Sequence, residues 1–453
     1  MATKASAPEK FTYRTAPSAT KAFEGWLREH GHDLPAHTHP WDVSRSDIYV
    51  EDRWQPIFAE MRAKEPVNKV TGSPYGDYWN VTTVKTIQHV EALPELYSSS
   101  WRNGGITIGE PPADVTPEMI EERRLPMFIA MDRPEHTGQR RTVAPAFTPA
   151  EIEYLSTEVR MRTAAVLDSL PYGEEFDWVD KVSIELTTGM LAILFGFPWE
   201  DRHLLTFWSD WAGDVEMSLA RELGDTRHEI LSEMAQYFQR LWVERMGKEP
   251  SRDLISMMIH SDAMSQMSPQ EFMGNLILLI VGGNDTTRNT MSGIIHGLDS
   301  FPEQRAIFES DPSVIPNAVQ ECIRFQTPLA HMRRTATADA DLFGHQIKAG
   351  DKLILWYISA NRDEDVFTDP DRIDLRRGNA RRNLAFGYGI HRCVGARLAE
   401  LQLKILLEEM HARRMRVNVT GKVERGAREL RPRLPPHGRD ARKVLRPLAT
   451  FGS

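Results

Sequence analysis

The segment that most constrains the fold is the apolar stretch at residues 268–299. It begins with "SPQE" and continues as "FMGNLILLIVGGNDTTRNTMSGIIHGL". Ser268 and Glu271 have the spacing of a helix capping box, with Pro269 at the first helical position. The helix that follows is so apolar that it has to be buried nearly all round. We therefore expect a large core built around one long central helix.

Most of the remaining chain also has the periodicity of helices. Helical periods occur at residues 150–169, 228–246 and 394–413. Residues 67–83 predict a β-hairpin around a Gly/Pro/Asp turn, and residues 341–359 predict a second set of strands punctuated by glycine. No break in composition divides the chain. The expected fold class is therefore mainly α with small β-sheets, in a single domain.

The two ends of the chain differ from this domain in composition. Residues 1–45 are rich in Ala, Thr, Ser, Pro and His and predict an N-terminal arm, wrapped on the surface or partly mobile. Residues 46–420 make up the domain itself. Residues 421–453 are rich in Arg and Pro and lack the alternation of a strand. We interpret them as a divergent basic tail.

Charge and cysteine usage exclude several classes of protein. A formal net charge of −9 over 453 residues argues against general nucleic-acid binding. Cys322 and Cys393 are the only cysteines, which suits a reducing cytoplasm and excludes a disulfide framework. The N-terminus lacks the apolar core of a signal peptide, and no run of about 18 apolar residues predicts a membrane span. A cytoplasmic protein is expected.

The second informative segment is "FGYGIHRCVG", residues 386–395. The helical period that follows places Cys393 at the N-terminal end of a helix, where free N–H groups and the helix dipole stabilise a thiolate. Gly387 and Gly389 permit a tight left-handed turn. Gly395 leaves a surface that something flat can approach closely. Without these glycines, a buried and inert cysteine would be the better interpretation.

At every defining position this segment resembles the haem-binding signature of the cytochrome P450 superfamily. The resemblance implies a cytochrome P450 fold in which the long central helix lies over a haem b. It implies that Cys393 is the proximal thiolate ligand of the iron, with Phe386, Gly387 and Gly395 among the cofactor-binding residues. Thiolate ligation pushes electron density onto the iron and favours O–O bond cleavage.

The middle of the central helix carries four residues that an ordinary core helix would not need. Gly282 and Gly283 each destabilise a helix by roughly 1 kcal/mol relative to alanine, and Asp285 and Thr286 follow them. A glycine-weakened core helix with a polar end is one interpretation. The other is functional, because a hydroxyl can open a groove in a helix and an acid beside an alcohol can relay protons. The family resemblance implies that the glycines lie over the haem, that Thr286 supports bound dioxygen and that Asp285 connects it to solvent protons.

A third motif is "ECIR", from Glu321 to Arg324. Charges at i and i+3 share one face of a helix, so a surface ion pair is the simplest interpretation. The motif also resembles the structural Glu-x-x-Arg pair of the cytochrome P450 superfamily. That resemblance implies a third partner, for which Arg372 is the first choice and Arg376 the alternative. Cys322, inside the motif, is expected to be a buried packing residue.

Haem carries two propionates, which need cationic or hydrogen-bonding partners. Four residues resemble the family's propionate contacts in order and spacing. His136 and Arg140 lie at i and i+4 on one predicted helix, Arg334 precedes the second set of strands, and His391 lies two residues before Cys393. Taken singly, each would be interpreted as a solvated surface group.

The reaction implied by the resemblance is monooxygenation, in which one atom of O2 enters a C–H bond and the other leaves as water. The chain carries no recognisable flavin- or dinucleotide-binding segment, so the electrons have to come from a separate donor. Residues 376–392 contain five arginines and no acid. We expect this basic face to attract an acidic ferredoxin-type donor, itself served by a reductase.

The substrate is predicted from three further segments, "LLIVGGNDTTRNTMSG", "RFQTPLAHMRRTA" and "WYISANRDEDVF". They resemble a bacterial branch that hydroxylates the terminal carbon of medium-chain alkanes and fatty acids. The resemblance implies a small hydrophobic substrate in an apolar pocket lined by Ile106, Ile108, Leu278, Val281, Gly282 and Leu329. For each of these residues, ordinary core packing is the alternative.

Two other functions compete with this one. The first is a related hydroxylase of branched lipids, sterol side chains or terpenoids. The second is a haem-binding sensor or an inactive member, against which Asp285 and Thr286 argue because a sensor needs no proton relay. Family members usually end in β-hairpins whose tip reaches the substrate pocket. Residues 421–453 show no such tip, which departs from the family pattern.

Overall fold

The computed structural model describes residues 38–45, 47–108, 125–213, 221–421 and 423, together with the backbone of residues 445–448. Helices dominate the described chain. In sequence order they are α1 (Asp47–Val50), α2 (Trp54–Lys64), α3 (Val84–Glu91), α4 (Glu135–Val143), α5 (Pro149–Asp168), α6 (Glu185–Phe195), α7 (His203–Gly213), α8 (Arg221–Arg245), α9 (Leu254–Ile259), α10 (Pro269–Ser300), α11 (Pro302–Ser310), α12 (Ile315–Gln326), α13 (Tyr357–Ala360) and α14 (Ala396–Ala412).

The strands are short, and those of the main sheet pack largely into an apolar cluster of their own. They are β1 (Val67–Val70), β2 (Tyr78–Val81), β3 (Tyr97–Ser98), β4 (Met332–Ala336), β5 (Ala340–Leu342), β6 (His345–Ile347), β7 (Lys352–Leu355), β8 (Arg416–Val419) and β9 (Leu445–Leu448). The main sheet has the order β1-β2-β7-β4-β3, and β5 pairs with β6. Only the β2–β7 pairing in this sheet is parallel among the described strands.

The hairpin predicted at residues 67–83 is confirmed, because β1 and β2 pair antiparallel from Val67 with Val81 to Val70 with Tyr78. The strands predicted at residues 341–359 are confirmed only as far as Leu355. Beyond it the chain turns into α13, where the Ala360 N–H donates to the Trp356 carbonyl over 3.0 Å. The aromatic and β-branched residues there gave a false strand signal because tertiary packing overrides strand propensity.

The predicted central helix is α10, which spans 32 residues. The Ser268 hydroxyl caps it by accepting the Glu271 N–H over 3.2 Å, and Pro269 is its first residue. The Glu271 carboxylate accepts a hydrogen bond from Gln139 on α4. α10 packs against α6, α7, α8, α12 and α14. It therefore runs through the protein as the apolar sequence predicts.

Two apolar clusters meet along α10. Its first half, with Leu276 and Ile280, packs into a cluster with α6, α7 and α8. Its second half, with Met291 and Ile295, packs into a cluster with α12 and α14. Cys322 of α12 belongs to this second cluster, where burial raises the pKa of its thiol to about 12. The polar and glycine-containing part of α10 lies between the two clusters, and the site is built around it.

The ends of the described chain pack on this domain. Residues 38–45, which composition assigns to the arm, include Val43 with no exposed surface and Asp42, whose carboxylate accepts the Tyr78 hydroxyl over 2.9 Å. Residues 1–37 lie outside the described residues. Within the predicted tail, Leu445–Leu448 forms a strand antiparallel to β8, and the chain between these two strands lies almost wholly outside the described residues. No helix in the described ranges has the length and apolar character needed to cross a bilayer.

Candidate active site

A cavity of ≈ 460 Å³ lies between the middle of α10, α6 and the start of α14, and apolar side chains make up most of its wall. It brings together residues that are far apart in the sequence. The residues predicted for the site that line it are Ile106, Arg140, Leu278, Val281, Gly282, Gly283, Thr286, Leu329, Arg334, Phe386, Gly387, His391, Cys393 and Gly395.

The cysteine loop has the backbone conformation that its glycines predict. Gly387 and Gly389 have φ values of 68° and 65°, in the left-handed region that other residues avoid. A Cβ atom on Gly389 would lie 2.2 Å from the backbone oxygen of Glu91, so this position also has no room for a side chain. The Cys393 N–H donates to the Phe386 carbonyl over 2.8 Å and closes the loop.

The Cys393 sulfur faces the cavity from a position just before α14. The Cys393 side chain has exposed surface, and that surface faces a cavity enclosed by several helices of the protein. Burial raises the pKa of the Cys393 thiol, whereas hydrogen bonds from the backbone N–H groups of Gly395 and Ala396 and the charges of Arg140 and Arg392 lower it. These donors and cations are the groups that stabilise a thiolate.

A metal bound at this sulfur would need other ligands. The described residues include no group of three or more His, Cys, Asp or Glu side chains placed to hold a metal ion. A prosthetic group that brings its own ligands, with Cys393 as the protein's contribution, fits this donor set. Gly395 fits it too, because the wall beside the sulfur carries no side chain there: a Cβ on Gly395 would lie 4.0 Å from the Cys393 Sγ.

Cations and histidines gather at the same end of the cavity. Arg140 and Arg334 line it, and the rings of His136 and His391 lie 4.3 Å apart between centroids. Burial, reinforced by neighbouring arginines, lowers the pKa of His391 to about 2 and that of His136 to about 4. Among the described residues, none donates to or accepts from a ring nitrogen of either histidine. Two cations and the neutral imidazole of His391 at the cavity wall fit the two carboxylates of a haem.

His136 stands one layer behind this set. It is only 2% exposed and does not line the cavity. Its contact is with the ring of His391, which does line the cavity. The structure thus places Arg140, Arg334 and His391 where they can touch a ligand, and places His136 against one of them.

The polar part of α10 presents Thr286 to the cavity and turns Asp285 away from it. The Thr286 hydroxyl donates to the Gly282 carbonyl over 2.9 Å. Gly282 has no atom within 4 Å of where a Cβ would lie, and a Cβ on Gly283 would lie 2.8 Å from the Leu191 side chain. The first glycine therefore opens the helix surface to the cavity, and the second permits close packing against α6.

Asp285 is 1% exposed and is absent from the cavity wall. Its carboxylate pairs with Arg288 over 2.7 Å and accepts a hydrogen bond from Ser209 over 3.4 Å. Arg288 also pairs with Asp210 over 2.8 Å. The predicted acid and alcohol are therefore neighbours in sequence that face different surroundings, one toward α7 and the other toward the cavity.

One residue predicted to contact substrate lies elsewhere. Ile108 is 4% exposed and packs into a separate apolar cluster with Ile354 and Trp356, so it is not part of the cavity wall. Ile106, two residues earlier, is in the wall.

The Glu321–Arg324 pair is wholly buried, with a 2.7 Å contact. Its third partner is Arg377, whose Nε donates to both Glu321 carboxylate oxygens over 3.0 Å. The prediction of Arg372, or of Arg376 as the alternative, was wrong: the Arg372 side chain is 60% exposed and pairs with Glu303, and Arg376 pairs with Asp311. Only the backbone carbonyl of Arg372 takes part, by accepting from Arg324 over 3.0 Å.

Glu91 and Tyr357 are site residues that the sequence analysis missed. Tyr357 lines the cavity, and its hydroxyl donates to the buried Glu91 carboxylate over 2.7 Å. A signal for Glu91 was present, because Val84, Ile87 and Glu91 fall on one face of α3 and a carboxylate occupies the last apolar position. A charge on the apolar face of a helix indicates a buried partner.

Comparisons with known proteins agree with this geometry. The cytochrome P450 family model matches residues 313–418. Linalool 8-monooxygenase of Pseudomonas putida is 35% identical over 387 residues, which cover 85% of this chain and 94% of that protein. A steroid C26-monooxygenase of Mycolicibacterium smegmatis is 32% identical over 390 residues, covering 82% of this chain and 87% of that one.

Solved structures show the same relationship. Cytochrome P450-153 from Novosphingobium aromaticivorans is 71% identical with a TM-score of 0.85, and the alignment covers 90% of this chain and all of that one. CYP153D17 from Sphingomonas sp. PAMC 26605 is 61% identical with a TM-score of 0.81, covering 90% and 98%. Similarity over most of the chain, a shared fold and a cysteine loop at the cavity thus agree, and the chain belongs to the cytochrome P450 family as one of its monooxygenases.

Proposed function

We propose that this monooxygenase inserts one oxygen atom of O2 into the terminal C–H bond of a medium-chain alkane or fatty acid. The observation that carries the proposal is one cavity that holds the Cys393 sulfur, three arginines and a wall that is otherwise mostly apolar. An alkane offers no polar group to bind, so only the shape of such a wall can select the carbon that reacts. High identity to two proteins of the P450-153 group supports the proposal.

Family membership implies a haem-thiolate iron cofactor, and the chain's residues fit one. Cys393 would hold the iron, while Arg140, Arg334 and His391 would bind the propionates. When bound, a thiolate-ligated haem supplies the activation of dioxygen and the cleavage of its O–O bond. The backbone N–H groups of Gly395 and Ala396 keep electron density on the sulfur by hydrogen bonding to it.

The residues of α10 would supply protons. The Thr286 hydroxyl faces the cavity and is held by the Gly282 carbonyl, so its oxygen can accept a hydrogen bond while its proton is engaged. Asp285 lies beside it in sequence and is linked through Arg288 to Asp210, whose side chain is 18% exposed. An acid next to the cavity alcohol in sequence, and linked through a cation to a partly exposed carboxylate, is suited to bring in protons from solvent.

The apolar wall of the cavity would determine which C–H bond reacts. Leu278, Val281 and Leu329 line it, and Gly282 leaves an open place beside them. Terminal C–H bonds are the strongest of an alkane, so the pocket has to admit the end of the chain and exclude its interior. A narrow apolar pocket does this by shape alone.

Electrons would come from an acidic ferredoxin-type donor with its reductase, docked on the face that carries Arg376, Arg381, Arg382 and Arg392. All four side chains are exposed. The fifth arginine of this stretch, Arg377, is buried against Glu321 and does not contribute to the surface. Positive charge around the cysteine loop is expected to steer an acidic partner to the haem edge.

The alternative substrate class is a branched lipid, a sterol side chain or a terpenoid. It is favoured by the similarity of this chain to linalool 8-monooxygenase and to steroid C26-monooxygenase. The deciding experiment supplies the purified holoenzyme, a ferredoxin and its reductase with octane, a medium-chain fatty acid, linalool or a sterol, and identifies products by mass spectrometry. We expect terminal alcohols of the linear substrates; turnover of only the terpenoid or sterol would replace the proposal with its alternative.

A further inference from the structure

A buried carboxylate, that of Glu91, lies behind the cation end of the cavity and belongs to none of the motifs discussed so far. It is the last residue of α3, and its side chain is 2% exposed. Oε1 accepts from Arg334 Nη2 over 2.9 Å and from the Tyr357 hydroxyl over 2.7 Å. Oε2 accepts the Tyr388 backbone N–H over 2.9 Å. An arginine and a backbone N–H can only donate, so both carboxylate oxygens act as acceptors, as they do in an ionised carboxylate.

Each partner of Glu91 belongs to the site. Arg334 and Tyr357 line the cavity, and Tyr388 lies in the cysteine loop between its two left-handed glycines. The backbone oxygen of Glu91 also lies where a Cβ on Gly389 would come within 2.2 Å. One residue therefore contacts both the cation that faces the proposed propionates and the loop that carries the cysteine.

Burial is unfavourable for this carboxylate. It raises the pKa of Glu91, and the charge of Arg334 and the hydrogen bonds from Tyr357 and Tyr388 oppose that rise. Well-packed apolar groups often stabilise a protein as well as a buried ion pair does, so stability alone gives little reason for a charge here. We infer that the charge is useful because of its electric field, which is strong in a buried site where little water screens it.

We propose that Glu91 is a positioning residue that aligns Arg334 with the cysteine loop and lowers the reduction potential of the haem through its buried negative charge. The inference rests on the proposed haem site. Charge near a metal cofactor and hydrogen bonding around its ligands are recognised determinants of reduction potential. Reduction adds an electron to the iron, so a fixed negative charge nearby disfavours the reduced state.

The test is a redox titration of purified holoenzyme, performed on the wild type, Glu91→Gln and Glu95→Gln. Glu95→Gln is the matched control, because it removes the same charge four residues later, from an exposed carboxylate paired with Arg133. We expect Glu91→Gln to shift the equilibrium toward the reduced form about tenfold, which is about 59 mV for one electron. Glu95→Gln should leave the potential within error of the wild type. Equal shifts in the two variants, or none in Glu91→Gln, would overturn the proposal.

A second variant separates charge from packing. Glu91→Asp keeps the negative charge and shortens the side chain, so its potential should stay closer to that of the wild type than to that of Glu91→Gln. Loosened packing would instead move Glu91→Gln and Glu91→Asp by the same amount, which would contradict the proposal. If Glu91→Gln does not fold, Tyr357→Phe decides alone: it removes a hydrogen bond that stabilises the ionised carboxylate, so a potential above that of the wild type supports the role of Glu91 and an unchanged or lower one refutes it.

The wild type is measured first, by the carbon monoxide difference spectrum of its reduced form. A spectrum without thiolate ligation would contradict the proposed haem site itself. A thiolate spectrum followed by unchanged potentials would contradict only the role of Glu91. The two failures are therefore distinguishable.

Discussion

Asp285 and Arg288 lie three residues apart on α10 and form a buried ion pair with a 2.7 Å N–O contact, which Asp210 of α7 joins over 2.8 Å. Their side chains are 1% and 3% exposed, whereas that of Asp210 is 18% exposed. The acid next to Thr286 is therefore neither free in the cavity nor isolated in the core. It is held by a cation that also pairs with a partly exposed carboxylate.

Replacing Asp285 with Asn should lower product formation about 100-fold, the usual contribution of a positioned proton donor or acceptor. Asn retains the size and hydrogen bonding of Asp but cannot carry a proton, so substrate binding should be unchanged. Turnover with the reconstituted donor measures the loss of product formation, and its comparison in H2O and D2O measures the contribution of proton transfer. Asp299→Asn, near the far end of α10 and paired with Arg305, is the control and should turn over normally. Normal turnover by the Asp285 variant would exclude the proton role.

Thr286→Ala should divert reducing equivalents from product to hydrogen peroxide. The hydroxyl faces the cavity, and its loss leaves no alcohol at that place to stabilise dioxygen. We expect donor consumption to continue while the yield of product per electron pair falls about tenfold. Thr290 is the matched control, since its hydroxyl makes the same kind of bond one turn later, to the Thr286 carbonyl over 2.8 Å. If Thr290→Ala and Thr286→Ala divert reducing equivalents to hydrogen peroxide equally, the specific role of the Thr286 hydroxyl would be contradicted.

Arg377→Ala should destabilise the protein much more than Arg372→Ala. Arg377 pairs with the buried Glu321, and removing one partner of a buried ion pair costs about 3–5 kcal/mol. The exposed Arg372–Glu303 pair is worth at most about 1 kcal/mol, and the Arg372 carbonyl that accepts from Arg324 survives the substitution. Urea unfolding of the two variants measures the difference. A greater loss for Arg372→Ala would reverse our assignment of the third partner.

Gly389→Ala should prevent formation of the cysteine loop. A φ of 65° costs an alanine about 1–2 kcal/mol, and its Cβ would lie 2.2 Å from the Glu91 backbone oxygen. We expect a lower content of thiolate-ligated haem, measured by the carbon monoxide difference spectrum per mole of protein. Gly378→Ala is the control, because no atom lies within 4 Å of its would-be Cβ and its φ is not left-handed. Full haem content in Gly389→Ala would mean that the loop can adopt another conformation.

Reversing the charge of Arg381 and Arg382 together should raise the Michaelis constant for the ferredoxin donor about tenfold, since both side chains are exposed beside the cysteine loop. The effect should shrink as salt screens the surface charges. The control reverses Lys248 and Arg252, two exposed cations between α8 and α9. A Michaelis constant that does not change in the Arg381/Arg382 variant would place the donor on another face.

Local patterns were sufficient for the central helix and for the cysteine loop. The apolar run of α10, its Ser268 cap and the glycines at 387 and 389 act through neighbours within a few residues, so the sequence carries their conformation directly. The direction of the Asp285 side chain could not be predicted from local patterns. Its sequence position beside Thr286 indicates an acid at the site, but whether it faces the cavity depends on Arg288 and on Asp210 of another helix.

By itself, then, the sequence determined the mainly helical class, the identity of the family and most of the predicted residues that line the cavity. Only the tertiary structure decided which residues support them. Glu91 and Tyr357 are 266 residues apart, and Glu321 and Arg377 are 56 apart. No local period links such pairs, because each of these contacts forms only when packed elements bring a buried carboxylate to the donor that compensates its lost hydration.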